Sequence, residues 1–76
     1  EDWQNAVKFY RKALSKGNLD KSEGRTYMNL GIALFNSGNP NDAIVELKKA
    51  QKFKSTERNA SQWINYVRDA SKIASN

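Results

Sequence analysis

Tyr27-Met28-Asn29-Leu30-Gly31-Ile32-Ala33-Leu34, then Ser37-Gly38-Asn39-Pro40, then Ala43-Ile44-Val45-Glu46-Leu47-Lys48-Lys49-Ala50 is the stretch that decides the fold. Tyr27, Leu30, Gly31 and Leu34 recur at three- and one-residue steps, as do Ala43, Ile44, Leu47, Ala50 and Gln51. Both spacings gather apolar groups on one face of a helix. Gly38 after the first run reads as a helix stop, and Pro40 in the first turn of the next reads as a start. Gly31 lies on the apolar stripe itself, where a helical Gly costs about 1 kcal/mol relative to Ala. The expected return is close approach of a partner helix, with Ala43 and Ala50 offering small surfaces opposite and Tyr27, Leu34 and Leu47 filling the sides.

Working outward, Lys16-Gly17-Asn18 and Lys54-Ser55-Thr56 are two further breaks, so the chain divides into four segments. Trp3, Ala6, Val7, Tyr10, Ala13 and Leu14 give the first segment a helical stripe. Ala60, Trp63, Ile64, Val67, Ala70 and Ala74 give the last one its own. No segment alternates with period two, so no sheet is expected. Capping chemistry agrees: Ser22 precedes Glu23, Asn41 and Asp42 lie in a first turn, and Thr56-Glu57 opens the last helix. The first and third segments also repeat. Ala6/Ala43, Val7/Ile44, Tyr10/Leu47, Arg11/Lys48, Lys12/Lys49 and Ala13/Ala50 are all separated by 37 residues (43 − 6, 50 − 13).

On these residues the chain resembles the tetratricopeptide repeat. Tyr27-x-x-Leu30-Gly31-x-x-Leu34, Gly38 and Ala43-x-x-x-Leu47-x-x-Ala50 match the aromatic, the Leu-Gly pair, the turn Gly and the small-large-small stripe of that helix-turn-helix unit. The resemblance implies an all-α fold. Its four antiparallel helices would stack as a right-handed superhelical fragment of an α-solenoid, a single domain over 1–76. Residues 24–57 would be a complete repeat and 2–16 the second helix of a partial one. Residues 57–75 would be a following first helix or the helix that seals the array. Three departures stand. The period of 37 exceeds the family's 34, placing three extra residues around Gly17–Arg25. Ser55 occupies a position where the family often has Pro. The fourth segment lacks a Leu-Gly pair, and either Ser61 or Trp63 could open its pattern.

Composition bounds the function. The 76 residues contain no Cys and no His, which removes disulfides, thiolate metal sites, and the commonest general base and metal ligand. Eight aromatics in a 38% hydrophobic chain argue against disorder. A chain this short buries only about 60% of its unfolded surface, so marginal stability is expected. No apolar run approaches the ~20 residues of a membrane span. The first residue is Glu1, so a fragment or processed form is expected. A cytoplasmic location is favoured, with the periplasm open if a signal was removed. Neither cofactor nor metal site is expected. Asp2, Glu23, Asp42, Glu46 and Glu57 read as helix-end acids, not general acids, so an enzyme is not expected.

Two surfaces remain as candidates. Met28, Ile32 and Phe35 form a second apolar line on the second helix, at i, i+4 and i+7. In the family, first helices line the concave ligand groove. The resemblance therefore implies a protein or peptide partner on Arg25, Met28, Asn29, Ile32, Phe35 and Asn36, and a scaffold or adaptor role. A carboxylate clamp, which some members use, would employ Asn29, but Ile32 stands where its next Asn would fall. The other surface is basic. With a net charge of +5, Lys8, Arg11 and Lys12 on the first helix and Lys48, Lys49 and Lys52 on the third would align on the convex side. A solvated face is the ordinary reading of these six. Binding of nucleic acid or another polyanion is the alternative function. Self-association is a further expectation, since the first helix lacks a mate and should leave Val7 or Phe9 uncovered.

Overall fold

The computed structural model describes residues 2–17 and 22–74. Positions 18–21, part of the longer connection counted from Gly17 to Arg25, and position 75 of the fourth segment lie outside the described residues. So does the side chain of Ala74. Four helices account for nearly all of the rest: α1 (Trp3–Ser15), α2 (Glu23–Asn36), α3 (Pro40–Ala50) and α4 (Glu57–Ala74). No strand occurs among the described residues.

Local chemistry explains the boundaries. Asp2 caps α1, its carboxylate accepting the Asn5 N–H at 3.1 Å. The α2–α3 turn is a Schellman closure, with Gly38 at φ 94°. The Gly38 N–H bonds to the Phe35 carbonyl at 3.1 Å and the Asn39 N–H to that of Leu34 at 2.8 Å. This left-handed position is open to Gly and strained for other residues. Asn39 then becomes the N-cap of α3, and Pro40 fills the first turn where its missing N–H costs nothing. The start of α4 differs from the simple cap expected of Thr56. Thr56 is 5% exposed, and its hydroxyl donates backward to the Ala50 carbonyl at 2.8 Å, tying the end of α3 to the start of α4.

That carbonyl also accepts the Phe53 N–H at 3.2 Å, so removing the hydroxyl leaves it partnered. Thr56→Val should therefore cost only about 1 kcal/mol. Equilibrium denaturant unfolding checks this, with the expectation of an unchanged m-value and a lower midpoint.

Packing follows the stripes. α2 touches every other helix; α3 packs on α2 and α4, and α1 on α2. Leu30, Leu34 and Ala43 form one buried cluster, covered by Val7, Tyr10 and Leu14 of α1. Leu47, Ile64 and Val67 form a second, flanked by Met28, Phe35, Ile44 and Trp63. Ala43, Leu47 and Ala50 have no exposed surface at all. Gly31 behaves as its sequence position implies. A Cβ there would sit 2.6 Å from Leu47 Cγ and 3.1 Å from the Ala43 carbonyl oxygen. Gly24 does the same nearer the start of α2, where a Cβ would meet Thr56 Oγ1 and the Phe53 ring. Sequence reading missed Gly24, because it lies one turn before the apolar stripe begins.

Of the two side chains expected to be left uncovered, Phe9 is 68% exposed and Val7 is half-buried against the first cluster. Two others depart from their expected places. Tyr27 is half-buried, not core, and stacks on Phe53 with ring centroids 6.1 Å apart. Gln51 does not join the apolar stripe of α3. It donates to Ser61 Oγ at 2.9 Å and so links α3 to α4.

Candidate functional site

α2 supplies the first wall of a groove. Its 100° per residue puts Arg25, Met28, Asn29, Ile32, Phe35 and Asn36 on one arc, away from the stripe that packs on α3. α4 supplies the second wall. Ala60, Ile64 and Val67 anchor it inward, which turns Asn59, Gln62, Trp63 and Tyr66 toward α2. Between the helices lies a groove of about 400 Å³ lined by Met28, Phe35, Asn36, Asn59, Gln62, Trp63 and Tyr66.

The floor of this groove is fixed from behind. Met28, Phe35 and Trp63 pack against the Leu47–Ile64–Val67 cluster with one flank and face the groove with the other. Tyr66 meets Phe35 and Trp63 edge-to-face, both at a centroid distance of 5.6 Å, with interplanar angles of 75° and 86°. It remains 57% exposed. Asn36, Asn59 and Gln62 are exposed amides at the rim. No Lys or Arg lines the groove, so nothing there could pair with a carboxylate in the manner of a clamp.

Of the six residues expected on the binding face, three converge: Met28, Phe35 and Asn36. Ile32 and Asn29 are half-buried and stand outside the lining. Arg25 is exposed and lines a separate depression with Ser22, Ser55 and Thr56. The α4 contributors were missed, Trp63 having been assigned to the core. A signal existed for them. Buried Leu30 and Ala33 of α2 correspond to buried Ile64 and Val67 of α4 at a spacing of 34 (64 − 30, 67 − 33). At that spacing Arg25, Met28, Asn29 and Ile32 map onto Asn59, Gln62, Trp63 and Tyr66, the four groove residues of α4. At the same spacing Ser61 falls opposite Tyr27.

The six basic residues of the expected stripe are all exposed. Lys8 and Arg11 line a shallow depression that also contains Asp42 and the α2–α3 turn. Lys49 lies 3.4 Å from Glu46 and 5.6 Å from the centroid of the Tyr27 ring. Lys12, Lys48 and Lys52 project into solvent.

Asp42, Glu23 and Glu57 occupy first helical turns, and Glu46 pairs with Lys49. Among the described residues there is no cluster of acids that could hold a metal ion. Nor, among the described residues, is any helix long and apolar enough to cross a membrane. Comparison with protein-family models, with curated proteins and with solved structures finds no match to this chain.

Proposed function

We propose that the chain is a protein-interaction module of tetratricopeptide-like architecture that seats a partner's peptide segment in the groove between α2 and α4. The groove carries the reading: a rigid aromatic and thioether floor, rimmed by exposed amides, is a surface that binds and not one that reacts. The arrangement supports it. Gly24 approaches Phe53 beyond the end of α3, whereas Gly31 approaches Ala43 and Leu47 nearer its start, which supports an antiparallel α2–α3 pair. A spacing of 34 between α2 and α4 would match the family period. α2 and α4 would then be successive first helices, whose contact forms the concave side of a right-handed stack. Ala6 and Ala13 of α1 are half-buried, although Ala43 and Ala50, which would be their equivalents, are fully buried. A helix resembling α2 would complete α1, and self-association through Phe9 is the other way to cover it.

Selection of a random displayed peptide library on the full chain tests this. Enriched peptides should bind the native chain, lose binding on Tyr66→Ala, and keep it on the triple variant Lys12→Glu/Lys48→Glu/Lys49→Glu. Failure to enrich any peptide sensitive to Tyr66 would refute the proposal.

The polyanion reading makes a separate prediction. Any association with nucleic acid should be weak and vanish between low and physiological salt, because counterion release drives it. Electrophoretic shifts across a salt series check this. Tight binding at physiological salt, abolished by the triple charge reversal, would instead establish the basic face as the functional one.

A further inference from the structure

We infer that the α2–α4 groove selects an uncharged, proline-containing segment in the extended polyproline II conformation. The inference rests on the peptide-binding proposal and names its ligand class.

Charge is the first argument. The chain carries 13 Lys/Arg and 8 Asp/Glu in 76 residues, yet none of the seven groove residues is charged. A charged side chain seated there would give up water against Met28, Phe35 and Trp63 without gaining a counter-ion, which is unfavourable. An uncharged segment incurs no such cost.

The amides separate an extended occupant from a helical one. A helix satisfies its own backbone and presents mainly side chains to a groove. Polyproline II has no internal hydrogen bonds, so its carbonyls need external donors. Asn36, Asn59 and Gln62 each offer a donor and an acceptor at the rim, on both walls of the groove. Three such amides serve an extended backbone and are largely redundant beside a helix.

The rings supply the side-chain pockets. In edge-to-face packing, Tyr66 leaves ring faces open that stacking would have covered. Compact, apolar pyrrolidine rings fit against such faces. A proline-rich segment is also ordered before it binds, so little entropy is lost on seating. Because the floor is held by the buried cluster beneath it, the pockets exist before the ligand arrives.

The test uses three capped peptides: a repeat of Pro-Pro-Leu, the same repeat with Ala for Pro, and the same with Glu for Leu. Each is titrated into the full chain carrying Trp3→Phe, so that Trp63 alone reports by fluorescence. The Pro-Pro-Leu peptide should give a saturable change. The other two should bind at least about tenfold more weakly, a difference of about 1.4 kcal/mol. Its affinity should be nearly constant between about 50 mM and about 500 mM salt, since no charge pair is formed. Tyr66→Ala and Gln62→Ala should each weaken it with helix content unchanged by circular dichroism, and Tyr66→Phe should retain it. Equal binding of the Ala peptide, preference for the Glu peptide, or no response overturns the inference. If library selection still yields Tyr66-dependent ligands without proline, the interaction proposal survives and this inference alone falls. If neither approach finds a groove ligand, both fall.

Discussion

Gly31→Leu should destabilise the chain by about 3 kcal/mol, near the top of what overpacking usually costs. The first atom of the new side chain already collides: its Cβ would lie 2.6 Å from Leu47 Cγ and 2.9 Å from Leu47 Cδ2. Leu47 cannot swing away, because it has no exposed surface and packs on Ile64 and Val67 behind. The Ala43 carbonyl at 3.1 Å is backbone and cannot yield cheaply either. A domain of this size holds only about 4–11 kcal/mol in total, so the variant should melt far earlier or fail to fold. Gly31→Ala makes the same contact with one carbon and gains helix propensity of up to about 1 kcal/mol, so it should fall between the two. Thermal unfolding of the three chains measures the series. A Gly31→Leu chain as stable as the native one would mean that α2 and α3 are not in contact at this point.

Leu30→Ala, one residue away, should cost roughly 2–5 kcal/mol by opening a cavity. Leu30 is 2% exposed and is the centre of the cluster that receives Val7, Tyr10 and Leu14. α1 has no fully buried residue of its own and packs on α2 alone. The loss should therefore fall first on α1, and amide exchange there should accelerate before the rest of the chain responds. Asn29→Ala should change stability by less than about 1 kcal/mol, since Asn29 is half-buried at the edge of the packed face. The contrast between adjacent positions reports which way the helix faces. Equal effects at both positions would contradict the packing described.

The central hairpin was legible because its residues agree at several levels. Leu30, Gly31 and Leu34 fix the face, Gly38 and Pro40 fix the turn, and Ala43, Leu47 and Ala50 fix the complementary surface. α4 was harder to read. α4 carries no second apolar stripe like Tyr27, Gly31 and Leu34 of α2: Ser61 is half-buried and bonded to Gln51 of α3, and Asn65 and Arg68 are exposed. Without that stripe its register could not be set from periodicity, and the groove face carried by Asn59, Gln62, Trp63 and Tyr66 stayed hidden. Only its inward set, Ala60, Ile64 and Val67, was readable. Thr56 stands directly before α4 as expected, but the local sequence does not say that its hydroxyl reaches back to Ala50. Ile32 and Asn29 share an arc with Met28 and Phe35, yet both are half-buried and neither lines the groove.

The claim that the α2–α4 groove is the binding surface is tested most directly by nuclear magnetic resonance. Labelled native chain is titrated with the tightest peptide obtained from library selection. The account predicts that perturbations concentrate on the side-chain amides of Asn36, Asn59 and Gln62, the Trp63 indole N–H and the Met28 methyl group. Perturbations confined to Lys8, Arg11, Lys12, Lys48 and Lys52, with those groove signals unmoved, would contradict it.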